Sequence, residues 1–375
     1  MPNPNAIISN HIRFVPPLDR PAAEALRSEG GLAVELDDGR RIRFDPSDPR
    51  SAGFVQVLDG LAGLRRPVYL EIDPAADAIT RLLIPHVSRI ADIRATDAGY
   101  DLALEYSHAR HLLKHESADF AALAERARAA LERGQVVIVT EDDRHDIIDI
   151  RGYTPGPDDA PLPPWPKERL PLERPWWQRL IDWIWRWPIW PWWWFRCISQ
   201  ARAQQIFDAM GATSCPPLTV PAPCIPFLYP DDGCWGRAHE MCRLIIAMGR
   251  KPRKIWIEHS TGYWLHVDTK NNPQCYVEWG WHVAPTLCVR KGWFWSEEMV
   301  IDPALFTTPV SKAVWKGVQN DPGATLTPSD ASIFYLWGNV TDPTYTQTNQ
   351  VLATYRLQLQ NRAIQLGAPP YAHCP

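Results

Sequence analysis

Short runs of alternating apolar and polar residues dominate the first 150 positions of the chain and predict a small α+β unit. Two of these runs, at residues 32–36 and 40–44, flank an Asp-Asp-Gly turn, which is a β-hairpin signature. Apolar residues then recur at helical spacing between Ser117, a predicted N-cap, and Gly134, a predicted helix end. Further strands are predicted at residues 68–72, 78–84, 89–94, 100–106, 135–140 and 146–150, the last two as a second hairpin.

A second α+β unit is predicted after residue 196. A proline-bearing loop at residues 215–232 leads into a helix at 235–248, and several strands follow it. A helix placed before an antiparallel sheet can pack on one face of that sheet and leave a cleft between helix and sheet. The other predicted elements are a helix at 199–210, strands at 254–258, 263–268, 275–289 and 298–302, and helical pieces at 310–318 and 347–366.

Three regions are therefore expected in this chain. With 375 residues it exceeds what one hydrophobic core usually organises. Residues 1–151 should form a small α+β domain, residues 152–196 a linker, and residues 197–375 a second α+β domain. The first part of the linker is so rich in proline that we expect a semi-rigid, extended spacer.

Tryptophan is concentrated in the second part of the linker, between Trp176 and Trp194. Asp182, Arg186 and two prolines interrupt this segment, so it is too short to span a membrane. Three interpretations stay open for it. The rings can pack as a clamp between domains or a cover over the cleft, they can lie at a membrane interface, or they can bind a partner.

Composition is typical of a globular protein, with 45% hydrophobic and 22% charged residues. A net charge of −4 without a basic run argues against nucleic-acid binding. No Cys-x-x-Cys pair occurs, and neither a metal nor another cofactor is expected.

The cues to localisation disagree. The first residues lack the charged and apolar regions of a secretion signal, which favours the cytoplasm. All eight cysteines follow residue 196, and this clustering suits one or two disulfides in an oxidising compartment. Export by a specialised route, as for an effector, would reconcile the two.

A thiol, an imidazole and a carboxylate follow one another in the second unit as Cys234, His282 and Asp302. Cys234 comes directly after Asp-Asp-Gly and opens a predicted helix, where the positive helix end should favour the thiolate. His282 shares one face of its predicted strand with Gly280 and Ala284, and these small neighbours should leave room for a substrate. Such a set can attack an acyl or amide carbon.

Other residues near these three are expected to be structural. His239 follows Cys234 by five residues and on a helix points about 140° away from it. Arg237 lies on roughly the same face as Cys234, and pairing with Glu240 is preferred over an effect on the thiol. His259 and His266 flank a predicted strand, but nothing in their spacing favours them over His282.

His108, His111 and His115 are three and four residues apart in the N-terminal unit. On a helix they would share a face and offer ligands to a metal. A polar surface turn is the preferred interpretation.

Three blocks around the candidate triad closely resemble the bacterial protein-glutaminase family. They are residues 225–234 (IPFLYPDDGC), 281–284 (WHVA) and 299–306 (MVIDPALF), and the similarity continues to Trp315. The resemblance covers roughly the last half of the chain and implies a transglutaminase-like, papain-like core. It also implies deamidation of protein-bound glutamine to glutamate with release of ammonia, with Cys234 as nucleophile, His282 as acid/base and Asp302 as the orienting carboxylate.

Residue types alone leave the reaction open. A transglutaminase, in which a lysine amine replaces water, and a cysteine peptidase, which attacks the main chain, use the same groups. The rival from another class is a non-catalytic protein that binds a membrane or a partner through its tryptophan-rich segment. Protein or peptide substrates bearing glutamine are the expected partners.

Overall fold

The structure is a computed structural model that describes residues 6–9, 11–16, 21–28, 32–73, 78–156, 197–262, 264–292 and 295–375. Within these ranges the chain is a mixed α+β protein with seven α-helices, as the sequence predicts. The tryptophan-rich segment and most of the proline-rich spacer lie outside the described residues. Among the described residues, no helix is both long and apolar enough to cross a membrane.

The first sheet is built from the predicted N-terminal hairpin and its neighbours. Its elements are β1 (Ala6–Ser9), β2 (Ile12–Phe14), α1 (Ala22–Ser28), β3 (Ala33–Leu36), β4 (Arg41–Arg43), α2 (Ser51–Gly63), β5 (Val68–Asp73) and β6 (Ala78–Leu83). The strand order is β1-β5-β6-β4-β3-β2, and Val34 pairs with Ile42 across the predicted hairpin. The apolar residues of α1 and α2 pack with the sheet in one core.

The second sheet continues directly from the first. Its elements are β7 (His86–Thr96), β8 (Gly99–Leu104), β9 (His111–Lys114), α3 (Phe120–Arg133), β10 (Val136–Glu141) and β11 (Ile147–Gly152). The order is β11-β10-β7-β8-β9, with α3 packed against it. Gly134 ends α3 in the left-handed conformation, as predicted. The predicted N-cap is wrong, because Asp119 and not Ser117 precedes the first turn.

The C-terminal half places a buried helix against a third sheet. Its elements are α4 (Gln200–Gly211), α5 (Cys234–Ala247), β12 (Arg253–Glu258), β13 (Leu265–Asp268), β14 (Tyr276–Trp279), β15 (Trp281–Arg290), β16 (Ser296–Val300), β17 (Val310–Ser311), α6 (Lys312–Gly317), β18 (Thr325–Asp330), β19 (Ile333–Tyr335), a 3₁₀ turn (Trp337–Asn339), β20 (Val340–Thr341) and α7 (Thr346–Leu366). The central sheet has the order β17-β16-β15-β12-β18, and α5 packs on β15.

The predicted strand at residues 275–289 is two strands. β14 pairs with β13 in a separate two-stranded sheet, whereas β15 lies in the main sheet between β12 and β16. Gly280 joins them, and its N–H donates to the carbonyl of His108 (2.8 Å) instead of continuing the β14 ladder. Apolar alternation alone cannot show such a change of sheet.

Helix α7 joins the two halves of the molecule. Leu357 belongs to the core of the first sheet, and Ile364 packs against that core. The helices α2 and α7 approach so closely that a Cβ on Gly53 would lie 2.5 Å from Ile364 Cδ1, and one on Gly60 would lie 2.6 Å from Leu357 Cδ2. Asn361 also donates to the carbonyl of Leu82 (2.8 Å). The N-terminal core is therefore completed by a C-terminal helix.

Three disulfides link the C-terminal half, where the sequence suggested one or two. They join Cys197 to Cys288, Cys215 to Cys224, and Cys275 to Cys374. Cys234 and Cys242 are free, and both are buried.

Candidate active site

Cys234 is the first residue of α5 because Gly233 ends the preceding loop in the left-handed conformation (φ 79°). A Cβ at Gly233 would lie 2.3 Å from Cδ2 of Tyr355, so only glycine fits both the angle and the space. The Tyr355 hydroxyl donates to Oδ2 of Asp232 (2.6 Å), and the Gly233 N–H donates to Oδ1 (2.8 Å). The loop before the thiol is thereby fixed from α7.

His282 and Asp302 meet as the sequence predicts. Nε2 of His282, on β15, lies 2.9 Å from Oδ2 of Asp302, which follows the end of β16. Trp315 donates its indole N–H to the same oxygen (2.9 Å). Burial would raise the pKa of Asp302, but the His282 ring and these hydrogen bonds hold it below its ordinary value. The carboxylate is thus ionised and oriented on the imidazole.

The thiol lies beside this pair. One ligand atom each from Cys234, His282 and His108 lie within 4.8 Å of one another. Asp302 takes Nε2 of His282, and Nδ1 is buried without a hydrogen-bond partner. Nδ1 is therefore the nitrogen available to the sulfur. The structure brings together all three residues of the predicted set.

The expected activation of the thiol by the helix end is wrong for this arrangement. Cys234 is only 1% exposed, and burial raises the pKa of its thiol well above the ordinary value. Arg237 and a backbone hydrogen bond from Val283 lower the pKa, but they do not overcome the loss of solvent. The sulfur is held as a thiol while it is covered.

The expected pairing of Arg237 with Glu240 is also wrong. The buried guanidinium of Arg237 donates to the carbonyls of Tyr229 (2.9 Å) and Asp232, so it holds the loop that precedes the thiol. Glu240 pairs with Arg243 instead (2.5 Å). Position in the first turn of α5 turns Arg237 back toward the carbonyls of its own loop.

His108 of the N-terminal half covers the thiol. Its backbone joins the edge of β14, because the Gly280 N–H donates to the His108 carbonyl (2.8 Å) and the Arg110 N–H donates to the Glu278 carbonyl (3.0 Å). The ring is buried, with its centroid 5.9 Å from Trp235 and 6.1 Å from His282. Burial lowers the pKa of His108 to about 3, although Asp232 opposes this.

His111 and His115 take other positions, so the three histidines share no face. His111, on β9, is buried with Nδ1 2.5 Å from Oε2 of Glu141, whereas His115 is exposed. The polar surface turn expected for this segment is wrong for His108 and His111. His108 and His111 are core residues because the segment that runs from β8 into β9 lies between the sheets.

Glu141 is the centre of a histidine cluster that reaches the catalytic loop. Nε2 of His86 lies 3.0 Å from Oε1 of Glu141, and Nδ1 of His145 lies 2.7 Å from the same oxygen. Nε2 of His145 then lies 3.2 Å from Oδ1 of Asp231. Arg362 of α7 forms a buried ion pair with Asp231 (2.7 Å). The cluster thus connects the second sheet to the loop before Cys234.

Aromatic rings, not open space, surround the imidazole of His282. Trp279 stacks on it at 4.4 Å between centroids, and Trp315 stacks at 5.5 Å. The room expected on this face of the strand is found at Gly280, which lines a cavity, whereas His282 and Ala284 are not among the residues that line it. The stacked rings fix the plane of the imidazole.

The remaining histidines of the C-terminal half lie away from this chemistry. His239 accepts from the buried Lys254 ammonium (2.8 Å), which agrees with the structural role expected for it. His259 stacks on Trp264, and His266 stacks on Tyr276. Sequence reasoning missed His108 and Tyr355, which act across a long separation in the chain, and it also missed the stacking of Trp279 and the hydrogen bond from Trp315.

A cavity of about 210 Å³ lies where the two halves meet beside the site. His108, Trp281, Trp264 and Asp101 are among the residues that line it, but Cys234 is not. His108 lines this space and also has a ring nitrogen within 4.8 Å of the sulfur. A substrate amide can reach the thiol only if the His108 segment moves.

The described geometry places a thiol beside an imidazole that is hydrogen-bonded to a carboxylate, and comparison with known proteins narrows the class of protein. Residues 203–319, which include Cys234, His282 and Asp302, match the sequence model of a family described as glutaminase. This match supports assignment of the chain to the protein-glutaminase family and to the enzymes. The resemblance seen in the sequence is confirmed.

Solved structures of the same kind are similar to the chain over different lengths. The crystal structure of pro-protein-glutaminase is 18% identical, covers 78% of this chain and 99% of its own, and has a TM-score of 0.47. The NMR structure of protein-glutaminase from Chryseobacterium proteolyticum is 26% identical and covers 41% of this chain and 84% of its own, with a TM-score of 0.36. A comparison with curated proteins gives no match.

Proposed function

We propose that this chain is a cysteine-dependent hydrolase that converts side-chain amides of protein-bound glutamine to glutamate and releases ammonia. The observation that carries the proposal is the placement of the Cys234 thiol at a helix start, beside an imidazole that is hydrogen-bonded to Asp302 at 2.9 Å. The glutaminase match over residues 203–319 supports the same reaction. The partners are therefore proteins or peptides that carry glutamine.

The first half of the reaction forms a thioester. Nδ1 of His282 takes the thiol proton as the sulfur of Cys234 attacks the glutamine carbonyl carbon, while Asp302 holds the other ring nitrogen in its protonated form. Backbone N–H groups in the first turn of α5 stabilise the oxyanion. The imidazolium then protonates the leaving nitrogen, and the C–N bond breaks to release ammonia.

The second half restores the thiol. Water enters the position left by ammonia, and His282 removes a proton from it as its oxygen attacks the thioester carbon. The C–S bond breaks, the sulfur regains its proton from the imidazolium, and glutamate leaves. No group other than water is consumed in this sequence of steps.

Both halves of the reaction require the thiol to be uncovered. The His108 segment must leave the sulfur before a glutamine side chain can enter, and solvent then returns to the helix start. Loss of burial removes the main cause that raises the pKa of Cys234, so the effect of Arg237 and the helix end becomes dominant. The described arrangement is therefore a closed state.

One assay tests the proposal. A glutamine-containing protein is incubated with the full chain, before and after limited proteolysis, and free ammonia is measured beside Cys234→Ser. We expect ammonia from the wild type only, without cross-linked or cleaved substrate. Cross-links in the presence of a lysine donor would indicate a transglutaminase and cut main chain a peptidase, and equal ammonia from the serine variant would overturn the triad.

A further inference from the structure

Three side chains of the covered site have the composition of a metal centre. Cys234, His108 and His282 are each buried, and one ligand atom from each lies within 4.8 Å of the other two. A cysteine sulfur with two imidazole nitrogens is a donor set that zinc binds in proteins. His108 comes from the N-terminal half of the chain, and the other two residues come from the C-terminal half.

The nitrogens that face this point have no hydrogen-bond partner among the described residues. Nδ1 of His108 has none, and Nδ1 of His282 has none. Buried polar atoms are almost always satisfied by a partner, because leaving one unpaired costs stability. One unpaired nitrogen on each of two rings beside one thiol points to a ligand that accepts a lone pair from each ring.

A carboxylate lies close to Nε2 of each of the two histidines. Asp302 lies 2.9 Å from Nε2 of His282, and Asp232 lies 3.3 Å from Nε2 of His108. A histidine that binds a metal usually donates its other ring N–H to a carboxylate, which orients the ring. In both residues this leaves Nδ1 as the coordinating atom. The two carboxylates also offset the positive charge that a divalent cation brings.

We propose that a zinc ion binds between Cys234, His108 and His282 and locks the enzyme in its closed state. The sulfur releases its proton to solvent and coordinates as thiolate, one nitrogen of each imidazole completes three positions, and water takes the fourth. The ion ties the N-terminal half to the catalytic residues and removes the nucleophile and the base from use. The sequence expectation of no metal is thereby replaced for the closed state.

The inhibitory consequence rests on the proposed function, but binding of the ion does not. Binding is therefore read without activity. Full-length protein without a purification tag is stripped with a chelator and loaded with Zn²⁺. Bound metal after dialysis and the shift in thermal midpoint are then measured. Co²⁺ in place of Zn²⁺ gives a charge-transfer absorption that reports a thiolate ligand.

Variants separate this site from other donors in the chain. We expect one Zn²⁺ per chain in wild type and in His115→Ala, whose exposed histidine lies in the same half. His108→Ala and His108→Gln should each weaken binding at least about 100-fold, beyond the roughly 10–100-fold lost with an outer-shell partner. Cys234→Ser should lose the cobalt absorption, whereas Cys242→Ser, which alters the other free thiol, should keep it.

Several results would overturn the zinc site. These are unchanged binding in both His108 variants with folded circular dichroism spectra, loss of the metal in His86→Ala but not in His108→Ala, or no bound metal in wild type. Ammonia release is measured separately in metal-free protein. Failure there with intact zinc binding would count against the proposed function alone.

Discussion

Nε2 of His282 and Oδ2 of Asp302 are 2.9 Å apart, in a pocket closed by the Trp279 and Trp315 rings. In the proposed reaction, the carboxylate keeps the proton on Nε2 of an imidazole whose plane the two stacked rings hold. A base whose tautomer is fixed in this way presents an unprotonated Nδ1 to the thiol.

Loss of the carboxylate charge should abolish most of the activity. Asp302→Asn keeps the shape but lets the ring adopt the wrong tautomer. We expect kcat for ammonia release to fall by on the order of 10⁴-fold, as for the same change in a serine-protease triad. The control is Asp330→Asn, at the exposed end of β18. Near-normal turnover by Asp302→Asn would show that another group orients the ring.

The Trp315 indole N–H can be removed with little change of shape. Trp315→Phe retains a stacked ring beside His282 but loses the donor to Asp302. A hydrogen bond to a charged group contributes roughly 1.5–3 kcal/mol, so we expect kcat to fall by roughly 10- to 150-fold. The acidic limb of the pH–rate profile should also shift, because the pKa of Asp302 rises when a donor is lost. An unchanged profile would assign Trp315 a packing role only.

Gly233→Ala should destabilise the fold at the thiol loop. The left-handed angle and the Tyr355 ring together oppose a Cβ, and we expect a loss of roughly 2–4 kcal/mol in the free energy of unfolding. Gly211→Ala is the matched control, because a Cβ there meets nothing within 4 Å. It should be neutral or slightly stabilising at the end of α4. Urea unfolding of both variants measures the difference, and equal effects would contradict the clash.

The Glu141 cluster should make stability depend on pH in a defined direction. Burial lowers the pKa of His145, but Glu141 and Asp231 raise it by more than burial lowers it. The pKa of His145 therefore lies well above its ordinary value. A histidine whose pKa is raised on folding stabilises fully below its unfolded pKa of about 6.5, and that contribution is lost as the pH rises through the folded pKa. His145→Asn should therefore cost more stability at acidic than at alkaline pH.

Thermal midpoints across the pH range test this direction. His115→Asn, on the surface of the same half, supplies the control curve. Burial raises the pKa of Glu141, but the three histidines lower it by more than burial raises it. The pKa of Glu141 therefore lies well below its ordinary value. Its stabilisation is thus present above an unfolded pKa of about 4.3 and is lost only in stronger acid. A His145→Asn curve parallel to the wild type would refute the charged cluster.

The third disulfide should anchor the end of the chain. Cys275 and Cys374 are 99 residues apart in sequence, and their bridge holds the last residues on β14. Replacing both with serine should cost roughly 2–4 kcal/mol. Cys242→Ser supplies the comparison, because it changes a buried thiol that bridges nothing. Denaturant unfolding under non-reducing conditions measures both, and equal midpoints would argue against the bridge.

Local patterns in the sequence predict most of the longer strands, the hairpins and the helix that begins at Cys234, but they missed β18 of the central sheet. The order and residue types of Cys234, His282 and Asp302, with the resemblance around them, led to the expectation that they meet. Helix α2 was missed, because Arg50 at its N-cap makes no side-chain capping bond and gives no start signal. His108 was missed for another reason. Its contact with the thiol depends on how two sheets dock, and no local pattern encodes a pairing between residues 108 and 280.

Tyr355 and Leu357 stand two residues apart on α7, yet one steadies the loop before the thiol and the other fills the core beneath the first sheet. Severing the peptide chain between residues 156 and 197 would accordingly yield two fragments that stay associated. Expression of residues 197–375 alone would leave an apolar surface of that helix exposed to water, with aggregation as the foreseeable outcome. Release of the enzyme from its first half thus requires new packing for the apolar face of one helix as well as cleavage of the chain.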